Sequence, residues 1–172
     1  MTAQQIARAF AHPLESEPRF VPVGRTTVSG TREVFVRDVL GGNDTAEQTA
    51  GSCPSANKNG ACLEGTTMDL LTYVNRKWYS IGYAEADALI FFPNVGAIPV
   101  NGYAPTRANA LDGHYTFVAT EHLYTRGAPT GLTADFINFL TSSTVTAELR
   151  GHLFIGCSDL RGSALSGMCS PG

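Results

Sequence analysis

Residues 19–40 read RFVPVGRTTVSGTREVFVRDVL, and their order suggests the fold. Residues 19–24 form a short apolar run of strand character, with Pro22 pointing to irregular or edge pairing. Arg25 follows at once, and Ser29-Gly30-Thr31 then opens an amphipathic stretch over 29–40. Its stripe is Thr31, Phe35 and Val39, and Glu33 and Arg37 are spaced as a supporting i,i+4 pair. Gly41-Gly42 stops the helix. The beginning of a helix leaves backbone N–H groups without intrahelical partners and carries a partial positive charge. Ser29 is placed to cap those amides, and Gly30 lets a ligand approach the backbone with no Cβ in the way. Thr31 adds a hydroxyl, and Arg25 ends the strand four residues before the cap with a guanidinium able to hold two oxygens at once. Strand end, turn and helix start together form an α/β location for an anionic ligand. By itself, the same triplet reads first as an ordinary helix cap with Arg25 a surface residue, and only second as an anion seat.

Moving outward, residues 2–11 predict a helix capped by Thr2 with Gln5 three residues on. Residues 43–65 are polar and irregular, a surface excursion. Residues 66–76 predict a second helix with Leu70, Leu71 and Val74 as its apolar stripe, where capping is the leading role of Thr66 and Thr67. Strands are expected at 79–85 (YSIGYAE), 88–93 (ALIFFP), 97–103 (AIPVNGY) and 114–124 (HYTFVATEHLY). A helix from about Thr133 brings Phe136, Phe139 and Leu140 to helical spacing and resumes after a break through Val145 to Arg150. The tail reads as a strand followed by a loop. Alternating strand and helix signals make the chain α/β.

The 172 residues suit a single domain with one sizeable core, and 43% hydrophobic with 16% charged residues is an ordinary globular balance. A net charge of −3 gives no basic surface for nucleic acid, and the longest apolar run is too short to span a bilayer. Four cysteines permit three pairings. Local pairing, Cys53–Cys62 and Cys157–Cys169, is favoured because each bond would staple a polar, glycine-containing loop. Zinc is the rival, but there is no C-x-x-C and no histidine at ligand spacing. Disulfides imply an exported protein, in an extracytoplasmic setting. MTAQQIARAF has no basic-then-apolar leader, so the expectation is a processed chain or a piece of a longer exported one.

His12, His114, His122 and His152 lack helical metal spacing, so no metal or cofactor is expected. Ser29 lacks the flanking glycines of a G-x-S-x-G nucleophile elbow, having Thr27 and Thr31 instead, so an enzyme is not expected. Asp112-Gly113 reads as a turn. Tyr83 and Tyr103 read as packed aromatics before cleft residues.

The segments QIARAF, PVGRTTVSGTREVFVRDVL, TTMDLLTYVNRKWYSIGYAEADAL, GHYTFVATEHLYTRG and LTADFINFLTSS, in this order, resemble the phosphate-binding component of bacterial phosphate ABC transporters. The R-x-x-x-S-G-T element is the most specific part of the likeness, and SIGYAE supports it. The resemblance implies a type-2 periplasmic-binding fold, a central mixed sheet flanked by helices, incomplete relative to a full two-lobed member. Residues from about 12 to 115 would be the second lobe, and about 116 to 172 the return segment and C-terminal part. Arg25, Ser29, Gly30 and Thr31 would contact phosphate or a similar oxyanion, without catalysis, and a transporter permease or further domains of a longer chain would be partners. In that family the preceding half adds donors and an aspartate that accepts the proton of hydrogen phosphate. The excursion at 43–65 has no counterpart in the family pattern. The other reading is a structural or protein-interaction module of an exported protein that no longer binds phosphate tightly.

Overall fold

The computed structural model describes residues 1–15, 19–42, 50–53 and 60–169. The chain divides into two units, one of Met1–Pro105 with Tyr115–Val118, the other of Thr106–His114 with Ala119–Gly172.

The first unit is built on β1 (Val21–Arg25), β2 (Cys62–Glu64) and β3 (Ser80–Gly82), in the order β2-β1-β3 with both pairings parallel. Parallel neighbours require crossovers. Helix α3 (Thr67–Arg76) lies in the crossover from β2 to β3, and α2 (Gly30–Asp38) follows β1. Val23 sits opposite Cys62 on one side and Gly82 on the other, so β1 is the central strand and not an edge. Pro22 is tolerated there for a geometric reason. Val21 donates its N–H to Tyr79 on the β3 side, so the next residue would donate towards β2. Pairing with β2 starts only at Val23, and the missing N–H of Pro22 falls short of the ladder.

Helix α1 (Ala3–Ala11) opens with a reciprocal cap. The Gln5 N–H donates to Thr2 Oγ1 at 3.1 Å and the Thr2 N–H donates to Gln5 Oε1 at 2.7 Å. Its buried face joins Ile6 and Phe10 to Phe35, Leu40, Ile81 and Tyr83. Phe35 stacks on Tyr83 with centroids 4.1 Å apart and meets Phe10 at 4.8 Å. A second cluster, Val23, Cys62, Leu70, Leu71 and Phe92, packs around α3. Successive strand residues serve opposite faces: Ile81 belongs to the first cluster, whereas a Cβ on Gly82 would stand 2.7 Å from Leu70 Cδ2. Past α2, Gly41 and Gly42 take positive φ, 64° and 76°, and the Gly42 N–H closes the helix end on the Val36 carbonyl at 2.8 Å. Arg37 pairs with its neighbour Asp38 at 2.6 Å, in place of the expected Glu33.

Several expected strands are absent among the described residues, and the sheet is accordingly parallel where a mixed one was expected. Residues 86–91 form a 3-10 turn: Ala88 and Leu89 pack half-buried against the α3 cluster that holds Phe92, while Ile90 and Phe91 are 64% and 66% exposed. Residues 97–103 form one bridge, Val100 with Tyr103, around an Asn101-Gly102 turn at positive φ. Residues 114–124 are irregular, with Phe117 edge-on to Phe35 at 5.6 Å. Among its described residues the tail carries two 3-10 turns, Cys157–Leu160 and Ser166–Cys169, and no strand. Residues 43–49 and 54–59 of the polar excursion lie outside the described residues; its end is not surface loop, since Ala61 and Cys62 are buried and lead into β2. The disulfides are Cys53–Cys62 and Cys157–Cys169.

The second unit contains α4 (Arg107–Leu111), α5 (Gly131–Leu140) and α6 (Ser143–Gly151). Asp159 joins two of its elements, pairing with Arg107 of α4 at 2.8 Å and with Arg150 of α6 at 2.7 Å. Gly113, just past α4, holds φ +76° with Ala164 against it. No helix among the described residues is long and apolar enough to cross a membrane.

Candidate functional site at the carboxyl edge of the sheet

Parallel strands end on the same side, and the residues just past those ends face one another. Arg25 is the last residue of β1, and three contacts fix it. Its N–H donates to the Tyr83 hydroxyl at 3.0 Å, Nη1 to Thr67 Oγ1 at 2.6 Å and Nη2 to the Gly65 carbonyl at 3.1 Å. Its Nε is shielded from solvent and without a hydrogen-bond partner. Thr31, on the first turn of α2, donates to Glu85 Oε1 at 2.5 Å, and Thr67, first residue of α3, donates to Glu85 Oε2 at 2.8 Å. One carboxylate therefore receives two hydroxyls from two different helix starts.

Ser29 has the backbone of a cap residue and its Oγ accepts the Arg32 N–H at 3.3 Å. A Cβ added at Gly30 would meet nothing within 4 Å. Arg32 is 7% exposed and turns its Nη1 under the strand end, donating to the Arg25 carbonyl at 2.6 Å. Neither Arg25 nor Arg32 has a carboxylate within 4 Å among the described residues. Two guanidiniums, a helix start and two hydroxyls gather around Glu85 at this edge, which also carries Glu64, the last residue of β2 and the register partner of Arg25. Burial pushes the Glu85 carboxyl up, but the Thr31 hydroxyl, its own backbone, the Thr67 hydroxyl and the Arg25 charge outweigh it. The group lies below the usual glutamate range and is ionised at neutral pH.

Of the residues singled out in the sequence, Arg25 and Thr31 meet through Thr67 and Glu85, while Ser29 serves as the cap and Gly30 borders open space. Tyr83 is 4% exposed, within the core, and Tyr103 is 39% exposed. Arg32 and Glu85 are additional, and Thr67, read first as a capping residue and second as a polar edge of a cleft, joins them. The signal for Thr67 was present: Thr66 alone has cap geometry, its Oγ accepting the Asp69 N–H, which leaves the second threonine free to face the sheet edge. Glu85 stood in SIGYAE, just beyond a buried strand, where parallel topology brings it beside Arg25. No group of three or more histidine, cysteine, aspartate or glutamate side chains that could hold a metal occurs among the described residues.

The chain has an α/β fold that gathers polar donors at the carboxyl edge of a parallel sheet, the edge where open α/β sheets bind ligands. The chain belongs to the PBP superfamily, whose domain model matches residues 1–144. It is 32% identical over 128 residues to the phosphate-binding protein PstS of Bacillus subtilis (strain 168), a match covering 74% of this chain and 38% of that protein. Among solved structures it resembles a protein from Clostridium perfringens, assigned as a phosphate ABC transporter substrate-binding protein and solved with bound phosphate. The TM-score is 0.69 at 20% identity, over 90% of this chain and 62% of the other. PstS from Borrelia burgdorferi gives a TM-score of 0.58 at 16% identity, over 91% of this chain and 63% of the other. At such identities the structures speak for the fold alone. The chain spans 38% of the curated relative and 62–63% of these two structures.

Proposed function

We propose that this chain is a non-catalytic solute-binding domain that seats inorganic phosphate or a similar oxyanion at the start of α2. Arg25 supplies a charge-assisted contact, Thr31 a hydroxyl, and Ser29 and Gly30 the capped, unobstructed backbone of the helix start, with Thr67 as a further hydroxyl donor. The observation that carries this reading is the convergence of the Thr31 and Thr67 hydroxyls on the two oxygens of one carboxylate, with Arg25 bonded to Thr67. Donors set to receive one pair of negatively charged oxygens suit another. The printed names of the relatives add phosphate as the solute. Residues from about 12 to 115 would act as the second lobe and about 116 to 172 as the return and C-terminal part. An ABC transporter permease would be the partner. Two disulfides favour an extracytoplasmic location.

Isothermal calorimetry with phosphate and with sulfate, on wild type and Arg25→Ala, tests the proposal. Phosphate should give a saturable heat in wild type that weakens at least about tenfold in the variant, the loss of one charge-assisted contact. Equal, negligible heats in both proteins would overturn it and favour an interaction module.

A further inference from the structure

We propose that Glu85 is an internal competitor for the oxyanion seat, a tethered carboxylate that an incoming anion must displace; this rests on the reading given above. The first ground is donor arithmetic. A threonine hydroxyl has one proton to donate. Both protons, from Thr31 and Thr67, go to Glu85. An oxyanion drawing on either hydroxyl has to break the bond to the carboxylate, since there is no second O–H to share.

The second ground is charge. Glu85 is ionised at neutral pH, and a phosphate held by the same hydroxyls would lie within a few ångströms of it. At such distances two like charges repel each other unless one leaves or is neutralised. The third ground is freedom to leave. Glu85 precedes the 3-10 turn at Ala86–Phe91, yet its side chain makes no cap bond to that turn. As a residue it is exposed, so solvent is open to it. A carboxylate that is ionised, open to solvent and held by two hydroxyls and its own backbone, with no cap bond to the turn that follows, behaves as a removable plug. It keeps Thr31, Thr67 and Arg25 arranged for an anion and sets a threshold that a weakly interacting anion fails to cross.

The alternative role is support: Glu85 holds the two hydroxyls in place and is needed for binding. The two roles predict opposite signs. Glu85→Gln preserves the side chain's shape and removes its charge, and Glu85→Asp retains the charge on a shorter stem that cannot bridge both hydroxyls. Phosphate calorimetry at fixed ionic strength on wild type and both variants, each checked for folding by circular dichroism, decides between them. The Gln variant should bind roughly tenfold more tightly than wild type, with the Asp variant between the two. Affinity in the Gln variant equal to or weaker than wild type would overturn the competitor role while leaving the seat standing. Absence of phosphate binding in wild type and in both variants would remove the seat itself, and the competitor with it.

Discussion

Ser29 and Gly30 are adjacent in the chain but separable in role. Ser29 Oγ holds the Arg32 amide, so its contribution is to the helix. Ser29→Ala should lower stability by ~1 kcal/mol, the usual worth of a serine cap, measurable as a shift in the urea midpoint. Gly30 has no such duty. Its φ lies outside the left-handed region and a methyl group there meets no neighbour. Gly30→Ala should therefore leave the urea midpoint within about 0.5 kcal/mol of wild type. Phosphate affinity should fall all the same, because the methyl group stands where an anion would approach the first amides of α2. A drop in stability without any change in phosphate heat would reverse this assignment. Arg32 shows what residue-level reading misses. A charged residue on a helix is expected in solvent, yet a strand carbonyl draws this one beneath the sheet end, a partner supplied by tertiary structure.

At the scale of elements, α1, α2 and α3 were readable because their signals are local: Thr2, Ser29 and Thr66 sit at the caps, and apolar residues recur at helical spacing behind them. β1 was readable as a strand because helices bracket it, and β3 because it follows α3 directly. Residues 88–93 and 97–103 misled because an apolar run marks a buried segment without naming its partner, and a strand exists only through its partner. The position of β1 was misjudged for a related reason, since the tolerance of Pro22 depends on where β2 begins. That Arg25 and Thr31 lie near one another was legible from the turn between strand and helix, but Thr67 and Glu85, which link them, come from other elements and needed the parallel register. Gly82 illustrates that register in packing. Gly82→Ala places a carbon 2.7 Å from Leu70 Cδ2 and 3.2 Å from the Val23 carbonyl. Leu70 can yield but the backbone carbonyl cannot, so a loss of roughly 1–3 kcal/mol is expected, read from the urea midpoint. An unchanged midpoint would mean that β3 moves freely against α3.

For the molecule as a whole, each unit has its own fastening. In the second, Asp159 binds Arg150 and Arg107 together, and hydrogen bonds from Arg150 chiefly, opposed by burial and reinforced by Arg107, hold its carboxyl at about 2. A carboxyl depressed from its ordinary 3.8 contributes stability that is present above the unfolded value and is lost as pH falls through the folded one. Melting temperatures followed from pH 4 to pH 2 should fall more steeply in wild type than in Asp159→Asn; parallel curves would show that this cluster carries none of the acid sensitivity. Each unit also carries one disulfide, and in the first it ties Cys53 to Cys62. Residues 51–53 lie along the outer side of β2, where the Cys53 N–H donates to the Leu63 carbonyl at 3.1 Å and the Leu63 N–H to the Gly51 carbonyl at 3.0 Å. That short segment occupies what would be an open rim of the sheet, the kind of unpaired backbone on which foreign chains template aggregates. Reduction of the bond is expected to loosen this cover, so light scattering should show association in the reduced chain and none in the oxidised one.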